Sequence, residues 1–437
     1  MLESLTLKGV GPCPELGPVE FGERVNLLAG DNGLGKTFLL DVAWWILAAR
    51  WPEAPGWPRP ETGPESRPTI GCRICTRDWM INTKSVYDFQ YGTWSELTMN
   101  RLPALLLYFR VDGSVFVRDW ATAGRIYSGA GYKWGGEYDP TAIQLTQAEM
   151  WNGTAPKTLF DGVSRVEGIA CRGLIEDWIT WQAIGGSEFD ALVRVLKQLS
   201  PNGSEALELG KPTRVSRTDR RLHPTLKFPY GEIPISIASA GMKRVVSIAY
   251  LLVWAWSEHV QSAKIGRSDP VQNIVVLIDE PEMHLHPRWQ RTVLPSLLAA
   301  IGELSSELKV QILVSTHSPL VLASMEPIFD HDKDKLLELF MDEETGHVKL
   351  FDRPWANRGD VTGWLVSDTF GLGRARSLPA EKAIDAAYRF MRGEGDKNPE
   401  GLRTEGEIDQ ELDRLLAGRD PFWARWIGSK TRKGPAK

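Results

Sequence analysis

Residues 30–37 read Gly30-Asp31-Asn32-Gly33-Leu34-Gly35-Lys36-Thr37, a G-x-x-G-x-G-K-T stretch between two segments of different character. The preceding 24–29 (RVNLLA) is apolar and β-compatible, while 37–50 (TFLLDVAWWILAAR) carries a helical apolar pattern ending at Arg50. A strand, a glycine-rich turn and a helix in that order make a phosphate-binding loop. The glycines let backbone N–H groups turn inward around phosphates, and the helix N-terminus adds its positive dipole end. Lys36 is placed to reach β and γ phosphates, and the Thr37 hydroxyl to ligate magnesium.

The bulk of the chain sets limits around that loop. Its 437 residues, 42% hydrophobic and 24% charged, predict two or three units with a sizeable core. The net charge of −5 argues against a protein that coats nucleic acid by charge alone. The 18 tryptophans are scattered, many of them (Trp44, Trp45, Trp178, Trp181, Trp254, Trp256) in helix-like apolar patterns, which reads as core packing. Only four cysteines occur, Cys13, Cys72, Cys75 and Cys171, which points to a reducing compartment, and the single C-x-x-C at Cys72 and Cys75 has no second pair to complete a zinc site. The start MLESLTLKG lacks the pattern of a secretion signal, and the longest apolar run, 245–256, is too short to span a bilayer. A cytoplasmic protein without membrane contact is expected.

A phosphate loop alone suits kinases, GTPases and helicases, so discrimination has to come from residues 239–317. The run 273–278 (NIVVLI) reads as a strand buried on both faces, and Asp279 and Glu280 follow it directly. The first carboxylate is placed to hold magnesium and the second to polarise an attacking water as general base. Upstream, Ser239-Ala240-Gly241-Met242-Lys243 opens a helix expected over 240–259, a turn that offers a hydroxyl and backbone donors to an anion. Downstream, His317 follows the strand expected over 310–314 and can donate to a γ phosphate.

Strands alternating with helices argue for a mostly parallel α/β sheet. A Gly/Pro-rich turn is expected over 9–17, a surface loop over 51–69, and a hairpin of 105–110 and 114–118 around Asp112-Gly113. Helical patterns cover 167–199 and 289–304. The segment 211–221 holds Lys211, Arg214, Arg217, Arg220 and Arg221, either a solvated basic loop or a contact for a DNA or RNA backbone. Asp330, Asp332 and Asp334 read as a solvated acidic loop, and Lys430, Arg432, Lys433 and Lys437 as a disordered basic tail.

Taken together, G-D-N-G-L-G-K-T as Walker A, S-A-G-M-K as signature, L-I-D-E-P-E as Walker B and S-T-H-S-P with a switch histidine resemble the ABC-type ATPases. The resemblance is greatest to their SMC-like and OLD-like branch, and it covers about residues 1–50 and 231–325. It implies a P-loop NTPase of ABC-ATPase head type. The expected core is 1–55 with 231–330, with a β-hairpin and helical lobe inserted over 56–230 and a helical extension with a basic tail over 331–437. In place of a transporter-type loop the chain has Pro281-Glu282-Met283-His284-Leu285-His286-Pro287, similar to PtuA-like, Septu- and retron-associated defence ATPases. No long heptad pair separates the Walker motifs, which argues against an extended coiled-coil arm.

The resemblance implies ATP and magnesium as ligands. Gly30, Asp31, Asn32, Gly33, Leu34, Gly35, Lys36, Thr37 and Phe38 would bind nucleotide, together with Ser239 and Gly241 from a second protomer. Glu280, His317 and Lys36 would be catalytic, with Thr37, Asp279 and Gln90 at the metal. Gln90 is the candidate for the glutamine that couples metal to the inserted lobe, an ordinary strand residue being the alternative. The implied protein is a homodimer or higher even oligomer that controls a separate nuclease or toxin in anti-phage defence. A RecF-type repair ATPase that binds DNA directly is the alternative, while intact Lys36, Asp279 and Glu280 speak against an inert scaffold.

Overall fold

The N-terminal hairpin pairs β1 (Leu2–Val10) with β2 (Cys13–Glu20). The Gly/Pro-rich turn expected over 9–17 thus shrinks to residues 11 and 12. Pro14 and Pro18 are tolerated because β2 is an edge strand, where a missing N–H leaves no ladder bond unmade. This computed structural model describes residues 1–59, 67–76, 79–97, 102, 104–120, 142–160, 165–200 and 206–432. The middle of the loop expected over 51–69 and the tail residues Lys433 and Lys437 lie outside these.

After β3 (Val25–Gly30) comes α1 (Lys36–Ala48), then β4 (Thr69–Cys75), β5 (Met80–Asp88) and β6 (Thr93–Trp94). These last three extend the hairpin into an antiparallel sheet of order β2-β1-β4-β5-β6. Further along lie β7 (Leu105–Phe109), β8 (Val115–Asp119), β9 (Ala142–Leu145), α2 (Gln147–Asn152) and the hairpin of β10 (Lys157–Phe160) with β11 (Arg165–Gly168). A helical lobe follows with α3 (Leu174–Ile184) and α4 (Ser187–Leu199), then a small sheet of β12 (Glu208–Leu209), β13 (Thr225–Phe228) and β14 (Gly231–Pro234). The long α5 (Ala240–Ile265) leads into β15 (Asn273–Asp279), α6 (Pro287–Gln290), α7 (Val293–Gly302), β16 (Lys309–Ser315), α8 (Pro319–Met325), β17 (Lys335–Asp342) and β18 (His347–Arg353).

The central sheet has the order β18-β17-β3-β16-β15-β7-β8-β9. Its five inner strands from β17 to β7 are parallel, β18 and β8 run antiparallel to them, and β9 runs antiparallel to β8. Helix α1 lies against both sheets. Leu40, Ala43, Trp44, Ile46 and Leu47 are buried in one cluster with Leu5, Leu7 and Ile70 of the antiparallel sheet and Leu106, Tyr108, Val275 and Leu313 of the central one. A helix covered on two sides has to be apolar nearly all round, which is the sequence pattern observed.

Three sequence-based boundaries move. The hairpin of β7 and β8, expected in the insertion, belongs to the central sheet: β7 pairs in parallel with β15, Ile274 opposite Leu105 through Ile278 opposite Phe109. Its LLLYF sequence is fully buried, as suits a parallel strand covered on both faces. Nor is the chain beyond 331 purely helical, since β17 pairs with β3 and β18 closes that edge. A separate compact unit begins only at Asp360. It contains α9 (Val361–Leu365), α10 (Leu378–Met391), α11 (Glu405–Leu415) and α12 (Phe422–Arg432), with Ala383, Ile384, Ile408, Leu412 and Trp426 at its centre. Lys430, expected in a free tail, sits on α12 and pairs with Asp409 and, at 3.4 Å, with Glu405.

The acidic loop is also not what its composition suggests. Asp334 is buried, accepting from Arg24 Nε at 2.9 Å and from the N–H groups of Val25 at 3.1 Å and Asp330 at 2.9 Å. It staples the start of β3 to the start of β17, so its charge is compensated rather than solvated. Cys72 and Cys75 show no metal cluster, and among the described residues no group of three or more His, Cys, Asp or Glu could hold one. No helix among them is long and apolar enough to cross a membrane. Removing one partner of a buried, hydrogen-bonded charge pair is costly, so Asp334→Ala is expected to lower stability in urea by about 3 kcal/mol. Asp332→Ala, in contrast, should stay within about 0.5 kcal/mol.

Candidate nucleotide site

The parallel strands β3, β16 and β15 all end at one edge of the sheet, where α/β proteins place their ligands. Register brings the pieces together there. Asp279 is paired with Ser315, and Ser315 with Leu28. The Asp279 carboxylate is buried, accepting from Thr37 Oγ1 at 2.9 Å and from the Ser315 hydroxyl. Ser315 Oγ in turn accepts from the N–H of Glu280 at 3.1 Å.

The phosphate loop leaves β3 through Gly30 at φ 131° and enters α1 through Gly35 at φ 96°. A Cβ on Gly30 would lie 2.2 Å from the Leu339 carbonyl oxygen of the adjacent β17, so both conformation and space demand glycine. Asp31, Asn32 and Gly33 are exposed at the tip, while Leu34 is buried and Phe38 packs partly buried against the main core. The Lys36 ammonium donates to the carbonyls of Gly30 and Asp31, each at 2.8 Å. Burial pulls its pKa down to about 8, against the opposing pull of Glu280 and Asp279. A cation folded onto loop carbonyls and held at a desolvation cost is placed to accept a phosphate in their stead.

Glu280 takes a left-handed φ of 47°, which turns its side chain from the strand toward His317: Oε1 lies 3.5 Å from His317 Nε2. Both side chains keep access to solvent. Burial, then Lys36, lowers the His317 pKa, which favours the neutral ring. Its backbone is pinned by Glu282, whose Oε1 accepts from the N–H of His317 at 2.8 Å and from Thr316 Oγ1 at 2.7 Å. Burial raises the pKa of Glu282.

Ser239 caps α5, its Oγ accepting from the N–H of Met242 at 3.3 Å. Gly241 is buried where the first turn of α5 presses on the 281–287 loop, and a Cβ there would lie 2.6 Å from the carbonyl oxygen of His284. This turn lines a cleft with His284, Leu285, His286 and Trp289 that includes no residue of the phosphate loop. The two halves of the expected site do not share this cleft. Gln90 lies in the exposed turn after β5, its N–H on Asp88 Oδ1 at 2.8 Å, and among the described residues it makes no hydrogen bond to Thr37 or Asp279. The strand beside β15 is β7, and the residue following it is Arg110.

Sequence reading missed four members of this group. Arg244 donates to the carbonyls of Asp279 at 2.9 Å, Glu280 at 3.3 Å and Arg110 at 3.2 Å, tying α5 to the ends of β15 and β7. Arg110 pairs with Glu53 and lies 3.9 Å from Asp41. Asp41, one turn beyond Thr37, accepts from Tyr108 Oη at 2.9 Å, and burial pushes its pKa up to about 6. Glu282 is the fourth, and its place as the third acid of D-E-P-E is the one available signal. The basic segment turns largely on itself, Arg221 pairing with Asp219 at 2.8 Å and Arg214 donating to the carbonyls of Arg217 and Asp219.

The residues present fit a magnesium-bound nucleotide. Thr37 Oγ1 and Asp279 are hard oxygen donors in contact, and the Lys36 ammonium lies against the carbonyls of the same loop. A glycine-rich loop between β3 and α1, with an acid at the end of a neighbouring parallel strand, is the arrangement of an α/β phosphate-binding site, and the order of its motifs resembles that of ABC-type heads. Residues 211–323 match the family described as "AAA domain, putative AbiEii toxin, Type IV TA system". The chain is similar to "Retron Ec83 probable ATPase" of Escherichia coli, 30% identical over 25% of this chain and 16% of that protein. It is also similar to "Septu protein PtuA" of Bacillus thuringiensis, 27% identical over 44% of each chain. These matches span less than half the length of the curated relatives. The SMC head domain from Thermotoga maritima aligns at 14% identity with a TM-score of 0.40, covering 80% of this chain and 98% of that one. The resemblance to PtuA-like and retron-associated ATPases read from the motifs is borne out.

Deleting a buried acceptor strands its donors, so Glu282→Ala is expected to cost about 2 kcal/mol in urea unfolding. The His317 ring should lose its fixed orientation, seen as averaged imidazole resonances, and a single ordered set would contradict the pinning role.

Proposed function

We propose that the chain binds ATP with magnesium and hydrolyses it in a pocket completed by a second copy. The observation that carries this reading is the meeting of Thr37, Asp279, Glu280 and His317 at one edge of the sheet. Thr37 and Asp279 would hold magnesium, which when bound neutralises charge on the triphosphate. Lys36 exchanges its loop carbonyls for phosphate oxygens. Glu280 accepts the proton of the water that attacks the γ phosphorus, the bond from that phosphorus to the β–γ bridging oxygen breaks and ADP leaves with the electron pair, and His317, neutral and beside Glu280, donates its ring N–H to a γ phosphate oxygen. Ser239 and Gly241 serve the triphosphate of the neighbouring copy, a role supported by their separation from the phosphate loop of their own chain. Clamp opening after hydrolysis converts nucleotide state into a change of spacing between attached parts.

The likeness to retron and Septu proteins supports a role in anti-phage defence, with the ATPase controlling a separate nuclease or toxin in the cytoplasm. The basic segment supports direct DNA binding less well, because Arg214 and Arg221 are engaged within their own loop.

Lys36→Ala is expected to abolish ATP binding or turnover; unchanged activity would mean the loop has another use. Glu280→Gln should lower turnover by about a hundredfold or more, the scale of general-base removal, while leaving ATP bound. On size exclusion it should run as a dimer only with ATP, and a variant that stays monomeric would remove the two-copy pocket.

A further inference from the structure

Beside the Ser239 turn the molecule presents a cleft of about 810 Å³ whose two ends differ in chemistry. One end is the start of α5, with the Ser239 hydroxyl and the buried Gly241. The other is the tip of the β13–β14 hairpin, where the rings of Phe228 and Tyr230 stack with centroids 5.3 Å apart and planes 7° from parallel. Tyr230 is 73% exposed and Ile237, between hairpin and helix, 70% exposed. Large apolar side chains held out in water next to a polar turn call for an occupant. Phe228 fixes the Tyr230 ring in advance, so little conformational freedom is lost when something lies on it.

We infer that the Phe228–Tyr230 pair is a contact for the base and ribose end of a nucleoside triphosphate held in the phosphate loop of a second copy. This deepens the proposed composite pocket and rests on it. An anion-binding turn and an aromatic face lining one cleft match the two ends of a nucleotide, phosphate and base. Residues 30–37 line no part of this cleft, which fits a nucleotide held by another copy. Every base offers a π face, so the pair adds affinity for nucleotides over bare triphosphate with little choice among bases. Tyr230 is then a residue through which one copy senses that the other is loaded with nucleotide rather than inorganic polyphosphate.

The test uses full-length Glu280→Gln protein in two differently labelled preparations, one also carrying Lys36→Ala so that it offers its cleft but holds no ATP. ATP-dependent pairing between the labels is read by energy transfer. Tyr230→Ala on the Lys36→Ala copy is expected to weaken pairing about tenfold, within the range that stacking a base on an aromatic ring spans. The same change on the ATP-holding copy should leave cross-label pairing and ATP binding by the monomer unchanged. Tyr230→Phe should restore pairing, and pairing driven by inorganic tripolyphosphate should be indifferent to Tyr230. An equal effect in both placements, an effect in neither, or a loss of ATP affinity in the monomer overturns the inference. If the Glu280→Gln protein fails to pair with ATP at all, the composite pocket falls with it; if it pairs but ignores Tyr230, only the aromatic contact falls.

Discussion

A hydroxyl and a carboxylate 242 positions apart in sequence, Thr37 and Asp279, meet at 2.9 Å, and the rest of the structure is arranged to permit that contact. Asp279 is buried at the end of a strand whose other residues are almost entirely apolar. A carboxylate in such a place is tolerable only when its oxygens are hydrogen-bonded. Thr37 and Ser315 supply those bonds, and they can do so because β16 lies in register beside β15 and β3 in register beside β16. The antiparallel sheet contributes from the far side of α1, pressing that helix onto the central sheet so that its first turn, with Lys36 and Thr37, is fixed at the strand ends.

From that point the polar network spreads outward. Glu280 adopts a left-handed backbone conformation stabilised by two bonds to Ser315, one from its N–H to the carbonyl and one to the hydroxyl. Glu282 fixes the backbone of His317, and Gln290 joins Ser318 Oγ to the carbonyl of Leu285. Arg244 then reaches from the first turns of α5 to three carbonyls at the same edge. The helix that carries Ser239 and Gly241 is thereby hydrogen-bonded directly to the backbone of the acidic pair.

Much of this was legible in the sequence because the decisive residues are constrained locally. Gly30, Gly33 and Gly35 announce positive φ, NIVVLI announces a strand buried on both faces, and Asp279 and Glu280 follow directly on it. The parallel partners of β15 were not legible. LLLYF reads equally well as a strand of an inserted hairpin, and only its long-range pairing with β15 assigns it to the core. The same holds for Asp334, whose neighbours Asp330 and Asp332 suggested a solvated loop, while its partner Arg24 lies 310 positions away. Arg244 falls inside the helix expected over 240–259 and Arg110 at the end of the strand expected over 105–110, with no local signal at either. Their roles depend on carbonyls and carboxylates that the fold brings near and that no local spacing reveals. Gln90, the candidate for coupling metal to the inserted lobe, lies in the exposed turn after β5, while β7, beside β15, is followed by Arg110.

The most direct measurement is an experimental structure of the Glu280→Gln protein with ATP and magnesium. The account expects two copies face to face, each triphosphate lying between Lys36 and Thr37 of one copy and the Ser239 turn of the other, with the metal between Thr37 and Asp279. A nucleotide bound elsewhere, or a pairing in which the Ser239 turn faces away from the neighbour's glycine cradle, would contradict it.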